Sequence, residues 1–243
     1  MKIIKLNAID STNSFLKKLA QDSTQENGTI VLANEQLSGR GQMTTSWVSE
    51  PFKNLTFSFL FYFDRLLVSQ QKYLNFATSL AVYQVLLEEG IPNLSIKWPN
   101  DILSANKKLC GILIENILKG SKISYSVIGI GLNVNQTEFP SSIGKVTSLK
   151  LLMGKEYELP SILEKISFRL NSLLSSLSKD TFEVLEKNYL NSLYKKNTTT
   201  MFKDNNGKLF MGIIRGISTT GKLQIEVANS EILEFQIKEI SFL

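Results

Sequence analysis

A basic loop with two glycines runs directly into an apolar segment between Gly39 and Ser58. Beyond the loop, Leu55 and the phenylalanines up to Phe61 occupy every second position. Successive side chains of a β-strand point to opposite faces, so this period of two predicts a strand with a buried face. In the loop, the glycines on either side of Arg40 let backbone amides and a guanidinium approach an anion closely. The combination predicts an anion site next to a buried strand, with a solvated surface hairpin as the alternative.

Both strands and helices are predicted along the rest of the chain. Short polar residues from Asp10 to Asn13 precede an apolar run and predict the start of a helix. A lysine-bearing turn at 119–122 joins two apolar segments and predicts an antiparallel strand pair. The other predicted segments are strands at 29–35, 55–63, 95–98, 109–116 and 123–135, and helices at 72–89, 160–176 and 181–193. After residue 197, short strands separated by turns predict a small β domain.

The composition excludes several kinds of catalytic site. The chain contains no histidine and a single cysteine, Cys110. Without histidine there is no histidine-based triad, so catalysis has to depend on positioning, charge stabilisation or a metal. One cysteine cannot form an internal disulfide or by itself bind zinc, and the apolar neighbours of Cys110 predict a buried small residue.

Length, charge and hydropathy narrow the class of protein further. A chain of 243 residues suits one large domain or a main domain with a small companion. No apolar run is long enough to cross a bilayer, and the N-terminus turns polar before a signal-peptide core develops, so we expect a cytoplasmic protein that does not bind membranes. The net charge of +5 comes from scattered lysines, and it suits an anionic ligand or an acidic partner as well as nucleic acid.

Four further motifs carry polar groups suited to binding. They are STN at 11–13, KWPND at 97–101, KKLCGILIEN at 107–116 and GIGLNVN at 129–135. The first offers two hydroxyls and an amide to a neutral polar ligand, although plain helix capping explains it too. In the second, proline fixes a turn that places a cation, an amide and a carboxylate within a few residues. A lysine that opens the third could meet a phosphate or be solvated, and the glycines of the fourth let backbone approach a ligand.

In this order the motifs resemble those of the biotin protein ligases. The resemblance covers most of residues 8–135 and includes Gln36 followed by GRG, Trp47 with Ser49, and NLTFS at 54–58. It implies an ATP-dependent, AMP-forming biotin-[acetyl-CoA-carboxylase] ligase. In such an enzyme the biotin carboxylate attacks the α-phosphate of ATP to give biotinyl-5′-AMP and pyrophosphate. A lysine of a biotin carboxyl carrier protein domain then accepts biotin as an amide.

The resemblance also implies a fold. It is an α+β fold with a mixed β-sheet and helices packed on one face, as in class II aminoacyl-tRNA synthetases and biotin ligases, plus a small C-terminal SH3-like β-barrel. A ligase domain at 1–195 and a C-terminal domain at 196–243 are expected. Because the chain starts almost directly at the ligase domain, we expect a monofunctional enzyme without a DNA-binding domain. The oligomeric state, monomer or homodimer, stays open.

Transferred residue by residue, the resemblance implies roles for particular positions. The biotin ligands that it implies are Ser11, Thr12, Asn13, Gln36, Arg40, Gly41 and Lys108. The ATP or adenylate ligands are Gln42, Trp47, Lys97, Asn100, Asp101, Gly111 and Asn133. Lys108 and Arg40 are the implied catalytic residues, and Asp101 is the implied ligand of Mg²⁺. Both reacting groups are anionic, so cations and hydrogen-bond donors suit this chemistry without histidine.

The glycine loop departs from the pattern of the family. Many biotin protein ligases carry GRGRRGR where this chain has GRGQMTT, so residues 42–45, including Met43, Thr44 and Thr45, replace three cations and a glycine. Arg40 is the only cation left in the loop, and we expect weaker retention of the adenylate. Basic residues of the C-terminal domain could close the ATP side or receive an acidic carrier; the candidates are Lys203, Lys208, Arg215 and Lys222.

Two other functions are compatible with parts of the sequence. The same fold supports lipoate or octanoate transferases, in which Cys110 would be the nucleophile; however, no histidine is present to activate it. A basic nucleic-acid-binding module would use Trp47 and Trp98 as stacking platforms. Binding by such a module should weaken steeply with salt and should not respond to biotin.

Overall fold

The computed structural model describes residues 1–43 and 45–243; Thr44, one of the substituted loop positions, lies outside the described residues. The strands are β1 (Ile3–Ile9), β2 (Ile30–Gln36), β3 (Leu55–Tyr62), β4 (Leu94–Lys97), β5 (Asp101–Ser104), β6 (Lys107–Lys119), β7 (Lys122–Leu132), β8 (Thr199–Asp204), β9 (Leu209–Ile217), β10 (Leu223–Glu226), β11 (Ile232–Phe235) and β12 (Ile240–Phe242). The helices are α1 (Thr12–Asp22), α2 (Gln71–Glu88), α3 (Leu149–Met153), α4 (Leu159–Ser175) and α5 (Lys179–Asn191). Within the described part of the chain, no helix combines the length and the apolar character that crossing a membrane requires.

Strands β1 to β7 form one mixed sheet in the order β1-β2-β3-β7-β6-β5-β4. β1 and β2 are parallel, and the other neighbouring strands are antiparallel. β6 and β7 form the hairpin that the turn at 119–122 predicts. The mixed sheet expected from the sequence is therefore confirmed.

The strand with alternating apolar residues, β3, lies between β2 and β7 and is buried on both faces. Its Phe57 and Phe59 belong to the main hydrophobic core, which they share with residues of α2, α4 and α5. The opposite face of the sheet carries α1, whose Leu16 packs against Leu60. The polar residues that alternate with the phenylalanines, such as Ser58, therefore point to the face of α1, where a binding site can use them.

The last five strands form an antiparallel sheet in the order β11-β10-β9-β8-β12, which confirms the short strands expected after residue 197. The closure of these strands into an SH3-like barrel stays a prediction. Phe202 and Leu223 of this sheet belong to the same continuous core as α2 and α5. In addition, the Trp98 indole Nε1 donates to the Gly221 carbonyl at 3.1 Å and joins the β4–β5 turn to this sheet. The C-terminal sheet is thus packed onto the rest of the chain. The division at 195/196 stays a prediction.

Three elements lack a sequence signal strong enough to predict them. β1 is an edge strand whose residues are exposed or half-buried, so no buried face marks it. β5 and α3 have only four and five residues, and a period cannot emerge in so short a segment. β1 also pairs with β2, which begins more than 20 residues later in the chain, and only the folded chain reveals that pairing.

Tyr189 provides a test of the core. Its ring is fully buried and stacks on Phe76 with centroids 4.1 Å apart. Among the described residues its hydroxyl has no hydrogen-bond partner, and a buried hydroxyl without a partner is unfavourable. We therefore expect Tyr189→Phe to raise the free energy of unfolding by about 1 kcal/mol in a urea titration.

Tyr73→Phe is the matched control. The Tyr73 hydroxyl donates to Glu186 Oε2 at 3.3 Å, so its removal should lower the free energy of unfolding by about 0.5 kcal/mol. A loss of stability in Tyr189→Phe as large as that in Tyr73→Phe would show that the Tyr189 hydroxyl is bonded after all.

Candidate functional site

An open cavity of about 930 Å³ lies on the face of the seven-stranded sheet that carries α1. Its walls come from the start of α1, the end of β2, the glycine loop, the β4–β5 turn and the last strand of the C-terminal sheet. The sequence-predicted residues that line it are Ser11, Thr12, Asn13, Gln36, Arg40, Gly41, Gln42, Trp47, Lys97, Asn100, Asp101, Lys108 and Gly111. The structure thus gathers residues that are up to 100 positions apart, such as Ser11 and Gly111, around one space.

The floor of the cavity is a part of the sheet in which glycines replace side chains. β3, β7 and β6 are neighbours here, with Ser58 opposite Gly129 and Gly131 opposite Gly111. A Cβ on Gly129 would lie 2.4 Å from Asn13 Oδ1, and one on Gly131 would lie 2.3 Å from Trp47 Cε2. These glycines therefore make room for two side chains of this chain. From the sequence we expected them to bring backbone to a ligand; the structure places Asn13 and Trp47 over them.

Neutral hydrogen-bonding groups cluster at the α1 end of the cavity. Ser11 caps the helix by accepting from the Ser14 amide at 3.4 Å. The Gln36 side-chain oxygen accepts from the Thr12 amide at 2.8 Å and from the Thr12 hydroxyl at 3.0 Å. Ser58 Oγ lies 2.8 Å from Thr12 Oγ1 and 2.5 Å from Asn13 Oδ1. The capping explanation weighed from the sequence is confirmed for Ser11. The same segment also forms part of the wall of the cavity, and its binding of a ligand stays a prediction.

Glu115 is an acceptor for three groups around this neutral cluster. Its carboxylate lies 2.9 Å from Arg40 Nη2, 3.4 Å from Lys17 Nζ and 3.0 Å from Asn13 Nδ2. Arg40 is thereby held against β6 rather than free in solution. The glycine loop itself folds back, with the Trp47 amide donating to the Gly39 carbonyl at 2.9 Å. Sequence reasoning missed Glu115, although a carboxylate inside the apolar run LCGILIEN was a usable signal.

Charged groups lie at the other end of the cavity. Lys108 Nζ is 2.7 Å from Asp101 Oδ1 and 5.9 Å from the centre of the Trp47 ring. Burial lowers the pKa of Lys97, and the charges of Lys108 and Lys195 lower it further, whereas Asp101 opposes this shift. This end therefore concentrates positive charge around one carboxylate, which suits a polyanionic ligand.

The KWPND turn is held from several sides. Asn100 Nδ2 donates to the Ile112 carbonyl at 2.5 Å, and the Asn75 side chain donates to the Pro99 carbonyl at 2.7 Å. Trp98, only 7% exposed, bonds to the C-terminal sheet as described above. Trp98, Pro99 and Asn100 therefore hold the turn against the rest of the protein. Lys97 and Asp101 are the charged residues that the turn presents to the cavity.

The C-terminal sheet contributes a wall that no motif predicts. Ile237, Lys238, Ile240, Ser241 and Phe242 line the cavity. Lys97 Nζ lies 4.9 Å from the centre of the Phe242 ring, and Lys238 Nζ donates to the Met43 carbonyl of the glycine loop. The basic residues named from the sequence, Lys203, Lys208, Arg215 and Lys222, do not line the cavity. Lys238 is more than 190 positions from the loop in sequence, so only the fold brings the two together.

Asn133 and Cys110 were also singled out from the sequence, and they too lie outside the lining of the cavity. Asn133 is buried, and its amide donates to the Thr147 carbonyl at 3.0 Å; its adenine-side role stays a prediction. Cys110 is completely buried, and burial raises the pKa of its thiol. This agrees with the expectation of a buried small residue at that position.

Known proteins are similar to this chain in sequence and in fold. The sequence model of the Biotin/lipoate A/B protein ligase family matches residues 6–133. The bifunctional ligase/repressor BirA of Bacillus subtilis is 32% identical over 167 residues, which are 68% of this chain and 51% of that protein. The biotin--[acetyl-CoA-carboxylase] ligase of Paracoccus denitrificans is 35% identical over 127 residues, 51% of each protein. The chain therefore spans about half the length of these curated relatives.

A solved structure extends the likeness to the whole chain. The biotin protein ligase from Aquifex aeolicus in complex with biotin and ATP superposes with a TM-score of 0.80 at 28% identity. The superposition covers 100% of this chain and 98% of that one. The C-terminal sheet is therefore part of the shared fold.

Gly131→Ala tests the arrangement of the floor. The added methyl would overlap the Trp47 indole, whose Cε2 lies 2.3 Å from the ideal Cβ position, so Trp47 has to leave the floor. We expect a clear change in tryptophan fluorescence, because the chain has only two tryptophans and the atoms nearest to the ideal Cβ position of Gly131 belong to one of them, Trp47.

The control is the same change in a Trp47→Ala background. There the methyl meets no indole, so Gly131→Ala should alter stability much less than it does in the parent protein. Equal losses of stability in both backgrounds, measured by thermal unfolding, would mean that Trp47 does not occupy this position.

Proposed function

The chain belongs to the Biotin/lipoate A/B protein ligase family, and from this membership we propose that it is a biotin protein ligase. It would activate biotin with ATP to biotinyl-5′-AMP and transfer biotin to a lysine of a biotin carboxyl carrier protein domain. The observation that carries the proposal is the division of one cavity into a neutral polar end at Ser11–Asn13 and a charged end at Lys108 and Asp101. Biotinyl-5′-AMP has the same division, because the ring system of biotin is neutral and polar and the phosphate to which its carboxyl group is joined is charged.

At the neutral end, a ureido group offers both donors and an acceptor. The side chains of Ser11, Thr12, Asn13 and Gln36 supply hydroxyl and amide groups of both kinds. Ser58 supports them from the sheet through its contacts with Thr12 and Asn13. These atoms already bond to one another and to Ser58, and a plain acyl chain has no polar group that could add to or replace these bonds. The neutral end therefore favours biotin over lipoate or octanoate.

At the charged end, two anions have to meet. An oxygen of the biotin carboxylate would form a bond to the α-phosphorus while the bond to pyrophosphate breaks. Lys108 would lie against the carboxylate and the α-phosphate, and Arg40 would add charge from the glycine loop by exchanging its partner Glu115 for the anionic ligand. Cations placed in advance around the developing charge lower the barrier without a proton transfer. In the second step the amine of a carrier lysine attacks the acyl carbon, AMP leaves, and the amine loses a proton.

Gly41, Gln42, Trp47, Lys97, Asn100, Gly111 and Asn133 complete the set of residues that we propose for biotin and the nucleotide. Of these, Trp47 has an indole N–H that is buried in the cavity wall without a hydrogen-bond partner among the described residues. A ligand atom could accept from it. Asn133 would have to act from outside the lining of the cavity.

The charged end offers one carboxylate, Asp101, to a magnesium ion. Among the described residues no group of three or more acidic, histidine or cysteine side chains could hold a metal alone. Mg²⁺ is, however, commonly bound by one or two carboxylates together with substrate phosphates. Asp101 is a carboxylate of the cavity and would be the protein ligand, and the ion would neutralise phosphate charge.

The proposed reaction also sets the partner, the location and the domain roles. A carrier domain with an exposed lysine would approach the open cavity, and ATP as a substrate fits the cytoplasmic location expected from the sequence. Residues 1–195 would form the ligase domain, and residues 196–243 the C-terminal domain that completes the nucleotide end. Monomeric and homodimeric forms are both compatible with this scheme.

The two alternatives have less support. A cysteine nucleophile would have to be Cys110, which is fully buried with a raised pKa of its thiol. For a nucleic-acid-binding module, Trp98 would have to stack on bases, yet it is buried and bonded to Gly221. Neither alternative uses the neutral cluster at the start of α1.

The decisive experiment is biotin-dependent exchange of labelled pyrophosphate into ATP with magnesium present. We expect exchange with biotin and no exchange when lipoate or octanoate replaces it. Equal exchange with octanoate would overturn the assignment of biotin, and absence of exchange with every acid would overturn the ligase.

Lys108→Ala tests the charged end. We expect the exchange rate to fall about a hundredfold to a thousandfold, because one lost contact to developing charge can cost about 3 to 4 kcal/mol. Lys107→Ala is the matched control, since Lys107 is exposed, adjacent in sequence and not part of the cavity lining. Equal exchange rates in the two variants would contradict a catalytic role for Lys108.

A further inference from the structure

The cations that line the cavity differ in their partners. Arg40 and Lys108 each lie within 2.9 Å of a carboxylate oxygen, of Glu115 and of Asp101 respectively. Among the described residues Lys97 and Lys238 have no carboxylate within ion-pair distance. Lys97 lies over the ring of Phe242 instead. Lys238 contacts a neutral acceptor, the carbonyl of Met43.

The backbone around Lys238 is held in place. Lys238 has a φ of 68° inside the turn between β11 and β12. The Gln236 amide donates to Glu239 Oε2 at 2.6 Å, and the Glu239 amide donates to the Gln236 carbonyl at 3.1 Å. Ile240, two residues after Lys238, is buried and anchors the start of β12. The turn therefore presents the lysine to the glycine loop from a fixed position.

The contact with Met43 leaves the positive charge and two N–H donors of Lys238 available to a ligand. An ammonium group has three donors and no acceptor, and a neutral carbonyl occupies one donor without cancelling the charge. The glycine loop, residues 39–47, contains a single cation of its own, Arg40, and Glu115 binds it. At the Met43 end of the loop the positive charge is therefore supplied by the C-terminal sheet.

We propose that Lys238 is a phosphate-binding residue for the nucleotide in this cavity, contacting phosphate oxygens of ATP and of biotinyl-5′-AMP. The inference rests on the proposed function, and it names a residue that no motif of the sequence predicts. One ammonium would bond both to the loop backbone and to the phosphate. Bound nucleotide would in this way tie the glycine loop to the C-terminal sheet.

The test compares the affinities of two ligands, of which biotinyl-5′-AMP contains a phosphate and biotin does not. Biotin and biotinyl-5′-AMP are titrated by calorimetry into the parent protein, Lys238→Met, Lys238→Arg and Lys203→Met. Lys203 is an exposed lysine of the same sheet that does not line the cavity. Methionine keeps much of the length of the side chain and removes its charge, whereas arginine restores the charge.

We expect Lys238→Met to bind biotin as the parent does and biotinyl-5′-AMP about tenfold more weakly, since a charge-assisted contact contributes about 1.5 kcal/mol. Lys238→Arg and Lys203→Met should stay within about twofold of the parent for both ligands. Any other pattern overturns the inference. Equal weakening for both ligands, for example, would mean that Lys238 only holds the loop.

The outcome also separates this inference from the proposed function. If the parent protein binds neither ligand, the proposed function fails, and the inference fails with it. If the parent binds both ligands and Lys238→Met binds them equally well, only the role of Lys238 is refuted.

Discussion

The arrangement of the site depends on a patch of the central sheet from which side chains are absent. Gly129 and Gly131 lie side by side with residues of β3 and β6, and a methyl group on either would overlap Asn13 or Trp47. Without this space, α1 could not place its first residues over the sheet, and the glycine loop could not lay its tryptophan across the floor. The neutral end and the aromatic wall of the cavity both follow from the same steric condition.

Charge pairing is the second condition, and it organises the site without a ligand. Lys108 is neutralised by Asp101 and Arg40 by Glu115. These pairs are partly exposed, so each contributes little to stability by itself. They keep the cations near the cavity at a small electrostatic cost, and an anionic ligand or a metal can then compete for them. The same logic explains how a chain without histidine can promote a reaction between two anions.

The C-terminal sheet belongs to the working site as well as to the core. Its residues share one continuous hydrophobic core with the helices, and its last strand and the preceding turn form a wall of the cavity. A small sheet of this size has little core of its own. Its packing against the β4–β5 turn through Trp98 and Gly221 therefore couples the stability of the C-terminal sheet to the geometry of the charged end.

The sequence by itself determined the family, the main strands and helices, and the proposed ligand-binding residues, all but one of which the cavity gathers; the exception is Asn133. It could do so because periodicity, turn residues and ordered motifs are local features of the sequence. A motif such as KWPND can be recognised without knowing which distant residues it contacts. Short or exposed elements such as β1, β5 and α3 carry too little of this local pattern. The tertiary structure alone decided that Glu115 holds Arg40, that Gly131 accepts Trp47 and that Lys238 reaches the glycine loop. These contacts join residues far apart along the chain, and their distances depend on strand register and sheet packing, which no single segment encodes.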